Sequence, residues 1–268
     1  MSVAVATPPA SWAEPVRLLG ARTWALSLVE LQKLRSDQTE LVTRMAQPVL
    51  WLLVFGTIFN RIRAIPTGEL SYLAYLTPGI LAQSALFISI FLGIQIIWDR
   101  DAGILTKVMV TPTPRAAIVL AKAFAAGVRG LAPVVVLVPV ALLLGVSITV
   151  NPLELIGAAV ALMLGAGFFA CLSMAIAGVA QTRDRLMGIG QLMTMPLFFA
   201  SNALYPIELM PTWLQVISRI NPLTYLVDAL RGLLVGAPAD IGLDFAVLVV
   251  AAVVGIMGAA SLLGRLVR

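Results

Sequence analysis

The chain has 268 residues, of which 60% are hydrophobic and only 12% are charged, and its formal net charge is +5. Together with a mean hydropathy of +0.99, this composition excludes an ordinary soluble globular protein and predicts a membrane protein that crosses the bilayer several times. The chain has a single cysteine and no histidine, which excludes an internal disulfide and a cysteine-rich metal cluster, so no metal site is expected.

The first 41 residues are predicted to form a cytoplasmic tail and a helix at the membrane interface. Basic residues interrupt the apolar positions, so no signal peptide is expected. Residues 14–41 can form a helix with leucines broadly on one side and basic side chains that reach lipid headgroups. Glu30, Lys33 and Arg35 lie on this helix. A frayed cytoplasmic tail is the alternative.

Residues 42–268 are predicted to form one membrane domain. A helix needs about 20 apolar residues to cross a bilayer, and strand alternation is absent, so every span is expected to be helical. No internal repeat is visible. The predicted fold class is an all-α polytopic membrane protein with six transmembrane helices, at about 42–59, 73–98, 116–147, 153–180, 186–204 and 242–264.

The basic residues beside these spans predict the orientation. With six crossings and a cytoplasmic N-terminus, twelve of the 18 lysines and arginines lie on the cytoplasmic side and four on the outer side. Because loops rich in Lys and Arg stay in the cytoplasm, both termini are predicted to be cytoplasmic. This asymmetry explains the basic charge, so no nucleic-acid partner is expected.

Residues 98–115 (WDRDAGILTKVMVTPTPR) lie between the second and third spans, on the predicted cytoplasmic side. Residues 102–110 can form about two helical turns that the prolines at 112 and 114 end. Ile104, Leu105 and Val108 are apolar residues of this short helix, and Lys107 is polar. Such a helix either docks in a groove of another protein or lies flat on the inner leaflet, and composition alone favours neither.

A second unusual segment, residues 205–241, is predicted to lie on the outer side. Its apolar pieces, about 210–219 and 222–235, would rise only about 15 and 21 Å as helices, less than the roughly 30 Å of the hydrocarbon core. Pro206, Pro211 and Pro222 stand where new helices begin. We expect two short re-entrant helices that dip into the outer leaflet and pack against protein or line a cavity.

Two charged residues fall within the predicted third span. Lys122 is near its cytoplasmic end and is expected to extend to the headgroups. Arg129 lies about 20 Å into the span if the helix begins near residue 116, and should then face protein or water, since a charge at that depth costs about 2.5 to 3.5 kcal/mol. If residues 131–150 alone cross the bilayer, Arg129 is interfacial. Both alternatives stay open.

Motifs for nucleotide binding and hydrolysis are absent from the sequence. It contains no G-x-x-x-x-G-K-[ST], no G-x-S-x-G and no H-E-x-x-H. Asp99 and Asp101 are the only close carboxylate pair, and Arg100 separates them, which disfavours a metal-dependent membrane transferase. The chain is therefore expected to contain no catalytic residue and to bind no cofactor itself.

The stretch that begins at residue 99 resembles the cytoplasmic loop of ABC-2 type transporter permeases. That loop commonly has an acidic residue, Arg, two residues and Gly, then a short helix and a Thr-Pro exit. The matching residues are Asp99, Arg100, Gly103, Thr111 and Pro112, and Lys122 stands where these permeases often have Gly-Lys. The departures are Asp99 for the usual Glu, Ala121 before the lysine, and Met109 with Val110 at the exit.

The outer segment is similar to the integral-membrane signature of the same family. That signature has small and apolar residues, a spacer, and then Pro-apolar-x-[aromatic or basic], five residues and Arg. The matching residues are Leu197, Ala200, Ser201, Ala203, Met210, Pro211, Pro222, Leu223, Tyr225 and Arg231. The order of the elements also agrees over essentially the whole chain.

This resemblance implies a permease half in a bacterial cytoplasmic membrane, working as a homodimer or with a paralogue. It implies two copies of a separate ATPase subunit, which bind ATP and Mg. The helix at 102–110 would be the coupling helix in a cleft of that subunit, with the interfacial helix beside it. The implied contact residues are Asp99, Arg100, Gly103, Ile104, Leu105, Lys107, Val108 and Pro112.

The cargo is less closely defined by the resemblance. The short loops look most like the drug-exporter branch, so we expect an amphipathic or lipid-like small molecule. A polysaccharide or lipid-linked glycan, which aromatic side chains would stack on, is the alternative. The candidate pathway residues are Phe87, Phe91, Arg129, Phe198, Phe199 and Tyr205. A channel or assembly component that uses no ATP is the alternative of another class.

Overall fold

The computed structural model describes residues 13–36, 38–62, 65–111 and 113–266, which form helices joined by short turns. A π-helical stretch, Trp51–Gly56, joins α2 to α3, and a 3-10 turn, Ile207–Leu209, precedes α10. The α-helices are α1 (Ala13–Ser36), α2 (Gln38–Leu50), α3 (Thr57–Ile62), α4 (Tyr72–Asp101), α5 (Ile104–Val110), α6 (Arg115–Gly130), α7 (Ala132–Leu143), α8 (Pro152–Ala180), α9 (Arg183–Phe199), α10 (Thr212–Ile220), α11 (Pro222–Val235) and α12 (Ile241–Leu263).

Five stretches of the described residues are long and apolar enough to cross a membrane. They coincide, apart from a few residues at their ends, with the predicted spans one to four and six. These stretches are Thr43–Ile62, Tyr72–Asp101, Arg115–Leu143, Pro152–Ala180 and Ile241–Leu263. The third stretch is not one regular helix, because α6 and α7 meet at Leu131 and Pro133 has no N–H to continue the backbone ladder.

The predicted fifth span, 186–204, differs from the structure. Its helix, α9, has 17 residues and rises about 25 Å, less than the roughly 30 Å core, so it is not one of the five stretches. It ends at Phe199 because the chain then turns back towards α4. The side-chain amide of Asn221 donates to the carbonyls of Leu197 and Ala200, at 2.6 and 3.4 Å, and satisfies carbonyls that the helix end leaves open.

Helix α4 lies at the centre of the bundle and packs against α6, α8, α9 and α11. Its side chains Leu76, Ile80, Leu81 and Leu86 are fully buried. The α5 end of the bundle holds the C-termini of α4 and α8 and the N-termini of α6 and α9. The opposite end, called the α11 end, holds α10, α11 and the 200–205 turn. The apolar helices of the bundle therefore connect two ends, each of which consists of helix termini and turns.

Gly79 permits the closest approach between α4 and the 200–205 turn. A Cβ at this residue would lie 2.3 Å from the backbone oxygen of Ala203, and backbone atoms cannot rotate away as a side chain can. We expect Gly79→Ala to destabilise the protein by about 1–3 kcal/mol or more, as overpacking does, measured by thermal unfolding in detergent. Gly258→Ala is the matched control, because nothing lies within 4 Å of its added Cβ, and its midpoint should equal or slightly exceed that of the wild type, since alanine favours a helix over glycine. Equal midpoints for both variants would contradict the assigned contact.

Candidate functional site

The charged motif at the C-terminus of α4 extends in two directions. Asp99 is buried and faces α1 and α6, whereas Arg100 and Asp101 lie towards α9. The Lys122 ammonium donates to Asp99 at 2.6 Å and to Glu30 at 2.9 Å. The Lys33 ammonium donates to the same two carboxylates, at 3.3 Å each. These four side chains form a closed ring of alternating charge, here called the charge ring.

The charge ring joins three helices in an environment mostly shielded from water. Glu30 and Lys33 come from α1, Asp99 from α4 and Lys122 from α6. Burial lowers the pKa of Lys33, but the charges of Glu30 and Asp99 outweigh burial, and the net effect raises the pKa above its usual value. Lys33 therefore stays protonated at physiological pH. The ring has no net charge, because two ammoniums balance two carboxylates.

The structure corrects the prediction that Lys122 extends to the headgroups. Its side chain is buried, because two carboxylates on neighbouring helices lie within bonding distance. Asp99 is buried by the same contacts, so it is not available at the surface for a direct contact with another subunit. The side chain of Arg35 and residue Pro112 lie outside the described part of the chain.

Asp101 and Arg100 fasten the end of α4 to the turn before α9. Asp101 accepts from Arg100 at 2.8 Å and from Arg183 at 2.8 Å. Arg100 also donates to the carbonyl of Gln181 at 2.8 Å. The guanidinium of Arg183 lies 5.8 Å from the ring centre of Trp98. Two aspartates that are two residues apart in α4 thus bind different neighbours: Asp99 binds α1 and α6, and Asp101 binds α9.

Helix α5 presents a different face from the one that its apolar residues predict. Gly103 precedes it with a φ of 73°, a conformation that glycine adopts without strain. Leu105 is only 3% exposed and Val108 packs against the same core cluster. The exposed residues of α5 are Ile104, Thr106, Lys107 and Val110, of which Ile104 is 46% and Val110 83% exposed. Leu105 is therefore not exposed on the surface of this chain, because α5 packs this side chain on its own core, and its predicted contact with an ATPase subunit stays a prediction.

A small cavity of about 180 Å³ separates α1 from α5. Leu26 and Val29 of α1 form one wall, and Ile104 and Val108 of α5 form another. The charge ring lies at its base. The two helices predicted to lie on the cytoplasmic side, α1 and α5, thus face each other across this cavity, and the ionic contacts of α1 go to α4 and α6.

At the α11 end, Arg231 is the centre of a second buried cluster. Its guanidinium donates to the Asp228 carboxylate at 3.2 Å and to the carbonyls of Asn202 and Tyr75 at 2.9 and 3.4 Å. It also lies 3.7 Å from the ring centre of Tyr75. The side-chain amide of Asn202 donates to Asp228 at 2.5 Å. This cluster joins α11, α4 and the 200–205 turn.

The remaining residues of the outer signature shape the helices around that cluster. Pro211 immediately precedes α10, Pro222 is the first residue of α11, and Pro206 precedes the 3-10 turn. The Tyr225 hydroxyl donates to the carbonyl of Arg219 at 2.7 Å. The first N–H groups of a helix have no acceptor within the helix, so a proline there, which has no N–H, loses no hydrogen bond. This explains why new helices begin at these prolines.

Two of the candidate pathway residues share a cavity of about 380 Å³ between α2 and α4. Phe87 and Phe91 line it together with Arg44, whose guanidinium lies 3.9 Å from the ring centre of Phe91. Thr43, Gln47 and Ser84 add polar groups to an otherwise apolar wall. The cavity thus has the mixed lining typical of small-molecule sites.

The other pathway candidates lie elsewhere. Phe198 is fully buried and packs edge-on against Trp51, with ring centres 6.2 Å apart. Phe199 is partly exposed, and the Tyr205 hydroxyl donates to its carbonyl at 2.8 Å. Arg129 is buried and donates to the Gln95 side chain at 3.0 Å. The apolar stretch runs from 115 to 143, so Arg129 lies near its middle, and its side chain is buried in protein.

The five apolar stretches define a multi-pass membrane protein, and polar clusters at both ends tie its helices together. The chain belongs to the ABC-2 type transporter family, because the sequence model of that family matches residues 21–235. The match includes α5, the charge ring and the Arg231 cluster.

Named relatives agree with this family. A protein of Cyanophora paradoxa named as a transport permease is 30% identical over 201 residues, covering 74% of this chain and 69% of the relative. A daunorubicin resistance ABC transporter permease protein of Streptomyces coeruleorubidus is 27% identical, over 76% and 72% of the two chains. A Mycobacterium tuberculosis protein named for doxorubicin resistance as an ABC transporter permease is 25% identical over 84% of each chain.

Proposed function

We propose that the chain is the transmembrane permease subunit of an ATP-driven exporter. In this proposal a separate ATPase subunit, present in two copies, binds ATP and Mg, and this chain has no ATPase site. The observation that carries the proposal is the exposed α5 face. Lys107 and Val110 are exposed at the end of the bundle where α5 connects α4 to α6. Force applied there reaches two long helices directly.

The proposed topology has six crossings and both termini in the cytoplasm of a bacterial cell. Helix α9 alone is shorter than the core, so in this proposal the fifth crossing is completed by the 200–205 turn that follows it. Residues 1–41 form the cytoplasmic and interfacial segment, and 42–268 the transmembrane domain. Two features support this topology. Lys and Arg cluster on the loops at the α5 end, and α10 at the α11 end exposes apolar Trp213, Val216 and Ile220, as expected of a re-entrant helix against lipid. A second permease copy would complete the transport path.

The proposed cargo is an amphipathic small molecule or a lipid-like compound. The cavity lined by Phe87 and Phe91 supports it, because a volume of about 380 Å³ suits a drug-sized ligand. Arg44 supplies a polar end and the phenylalanines supply an apolar body. The relatives named for daunorubicin and doxorubicin resistance also favour this cargo. A polysaccharide or lipid-linked glycan is the second candidate, since aromatic rings also stack on sugars.

A reconstitution experiment tests the proposal. The chain is purified alone and together with candidate ATPase subunits encoded near it, and ATP hydrolysis is measured in nanodiscs. We expect no hydrolysis by the chain alone and cargo-stimulated hydrolysis by the complex. A channel without ATP coupling would instead pass solutes across liposomes in the absence of the ATPase subunit. Passive flux of that kind, with no ATPase subunit that binds, would contradict the proposal.

A further inference from the structure

Asp244 places a carboxyl group on the side of α12 that faces the rest of the bundle. The residue is only 3% exposed, and it lies in the first turn of α12, at the α11 end. Leu248, one turn further on, is on the same side of the helix and packs in the main apolar core. A carboxyl group therefore occupies a position that the helical pattern normally gives to an apolar side chain.

The described part of the chain offers this carboxyl group no compensating contact. The Oδ2 atom of Asp244 is buried and has no hydrogen-bond partner. The start of α12 is already capped, because Asp240 Oδ1 accepts from the backbone N–H of Leu243 at 3.1 Å. The dipole of a helix start favours a negative charge, but a buried carboxylate without a hydrogen bond or a cation costs several times more. The ionised form is therefore disfavoured.

The charged groups around Asp244 also disfavour a second negative charge. Helix α12 packs against α6, α8 and α11. The carboxylates of Asp228 on α11 and of Asp240 are close enough to repel that of Asp244. Arg231 on α11 donates to Asp228 and to two carbonyls, and Glu154 of α8 accepts from two residues just before that helix. The charged residues of α6, between its α5 end and the middle of the span, are Arg115, Lys122 and Arg129.

We propose that Asp244 is a proton-binding site, neutral while α12 is packed against α11, and that loss of its proton loosens this contact. The neutral acid avoids the desolvation of a charge and the repulsion from Asp228 and Asp240. When the O–H bond breaks and the proton passes to water, both costs return and favour separation of the helices. Water reaches this end of the bundle, because the Asp228 side chain is 35% exposed. The proposed site goes beyond the proposed function and does not depend on an ATPase subunit.

Proton binding at Asp244 makes the stability of the chain depend on pH in a defined direction. The folded chain favours the protonated form, whereas the unfolded chain ionises this group at lower pH. Stability therefore falls as the pH rises, until Asp244 is ionised in the folded chain as well. The variant Asp244→Asn has an uncharged side chain of similar shape and should not show this loss.

Thermal unfolding in detergent from about pH 5 to about pH 9 measures this dependence. We expect the wild-type midpoint to fall relative to that of Asp244→Asn as the pH rises. At the highest pH, the amides of residues 222–250 should exchange hydrogen faster in the wild type than in Asp244→Asn. Parallel midpoint curves together with equal exchange would overturn the inference.

Two control variants remove carboxylates that are exposed. Asp184→Asn is the matched control, because Asp184 also lies in the first turn of a helix, α9, but is exposed. Arg61→Gln with Glu69→Gln removes two exposed charges near the α11 end. Both should follow the pH dependence of the wild type. A control that matches Asp244→Asn instead would overturn the assignment to Asp244.

Infrared spectroscopy of the chain in nanodiscs detects the proton itself. At neutral pH the wild type should show the absorption of a protonated carboxyl group, which shifts in D2O, disappears at high pH and is absent from Asp244→Asn. A wild type without this band, or the same band in Asp244→Asn, would overturn the inference. Because the band is recorded on the wild type, the test holds even if the variant does not fold. Failure to bind an ATPase subunit would count against the proposed function alone.

Discussion

Combining Lys107→Glu with Val110→Asp should abolish coupling to the ATPase subunit while leaving the permease folded. Both residues lie on the exposed face of α5, so new carboxylates there meet water in the isolated chain. In a docked complex they would be desolvated without partners. Residues at the centre of an interface often contribute 2 kcal/mol or more, so we expect at least about 30-fold weaker binding and no ATP-driven transport.

The matched comparison is Leu105→Ala, on the opposite face of the same helix. Leu105 is buried in the cluster beneath α5, and its truncation should cost about 2–5 kcal/mol of folding stability, seen as a lower thermal midpoint. The Lys107 and Val110 variant should keep the wild-type midpoint. The opposite pattern, with the double variant unfolded and Leu105→Ala stable but unable to bind, would show that the buried face is the contact surface.

Replacing Arg231 with methionine should be among the most destabilising single changes in the chain. The guanidinium is buried and donates to one carboxylate and two carbonyls. Methionine fills part of the volume but leaves Asp228 without its cation. Removing one partner of a buried pair costs about 3–5 kcal/mol. Because the Asp228 side chain is 35% exposed and keeps the Asn202 hydrogen bond, we expect a cost at or below the lower end of that range, seen as a fall in the thermal midpoint in detergent.

Two further substitutions separate charge from geometry at this cluster. Arg231→Lys keeps the charge but lacks the planar fork that reaches several acceptors, so it should recover only part of the lost stability. Arg219→Met is the control, because Arg219 is exposed and its carbonyl, not its side chain, binds Tyr225. A midpoint for Arg231→Met equal to that of Arg219→Met would mean that the cluster does not hold α11 in place.

Helix positions followed from the sequence because apolar run length is a local property. The spans that begin near residues 73, 153 and 242 were predicted to within a few residues of α4, α8 and α12. The end of α9 was not, since it depends on Asn221, which lies after the helix and bonds back to Leu197. A contact between distant residues cannot be read from one apolar run.

The charge ring shows what the sequence left undetermined. Lys122 was interpreted as a residue that reaches the lipid headgroups, whereas Glu30, 92 residues earlier, and Asp99, 23 residues earlier, both accept from it. The positions of Asp99 and Lys122 along their spans could have predicted part of this contact. Asp99 lies near the end of α4 and Lys122 near the start of α6, so both lie close to the same end of the bundle. Opposite charges at one height in neighbouring spans are expected to pair. The position of α1, however, has no such signal.

The face of α5 was undetermined for a different reason. A helix of about two turns has too few residues for its apolar side to indicate whether it faces its own chain or a partner. Ile104, Leu105 and Val108 suit either alternative, and only the surrounding structure shows Leu105 turned inward. The two short helices before α12 were more predictable, since Pro211 and Pro222 mark their starts locally.

ATP-dependent transport in proteoliposomes tests the central claim most directly. The chain and its ATPase subunit are reconstituted together, ATP and Mg are supplied on the side that the ATPase subunit occupies, and the movement of an amphipathic fluorescent dye is recorded. We predict transport that requires ATP, stops with the Lys107→Glu, Val110→Asp variant and persists with the Arg61→Gln, Glu69→Gln control. Dye movement at the same rate without ATP, or undiminished in the α5 variant, would contradict the account.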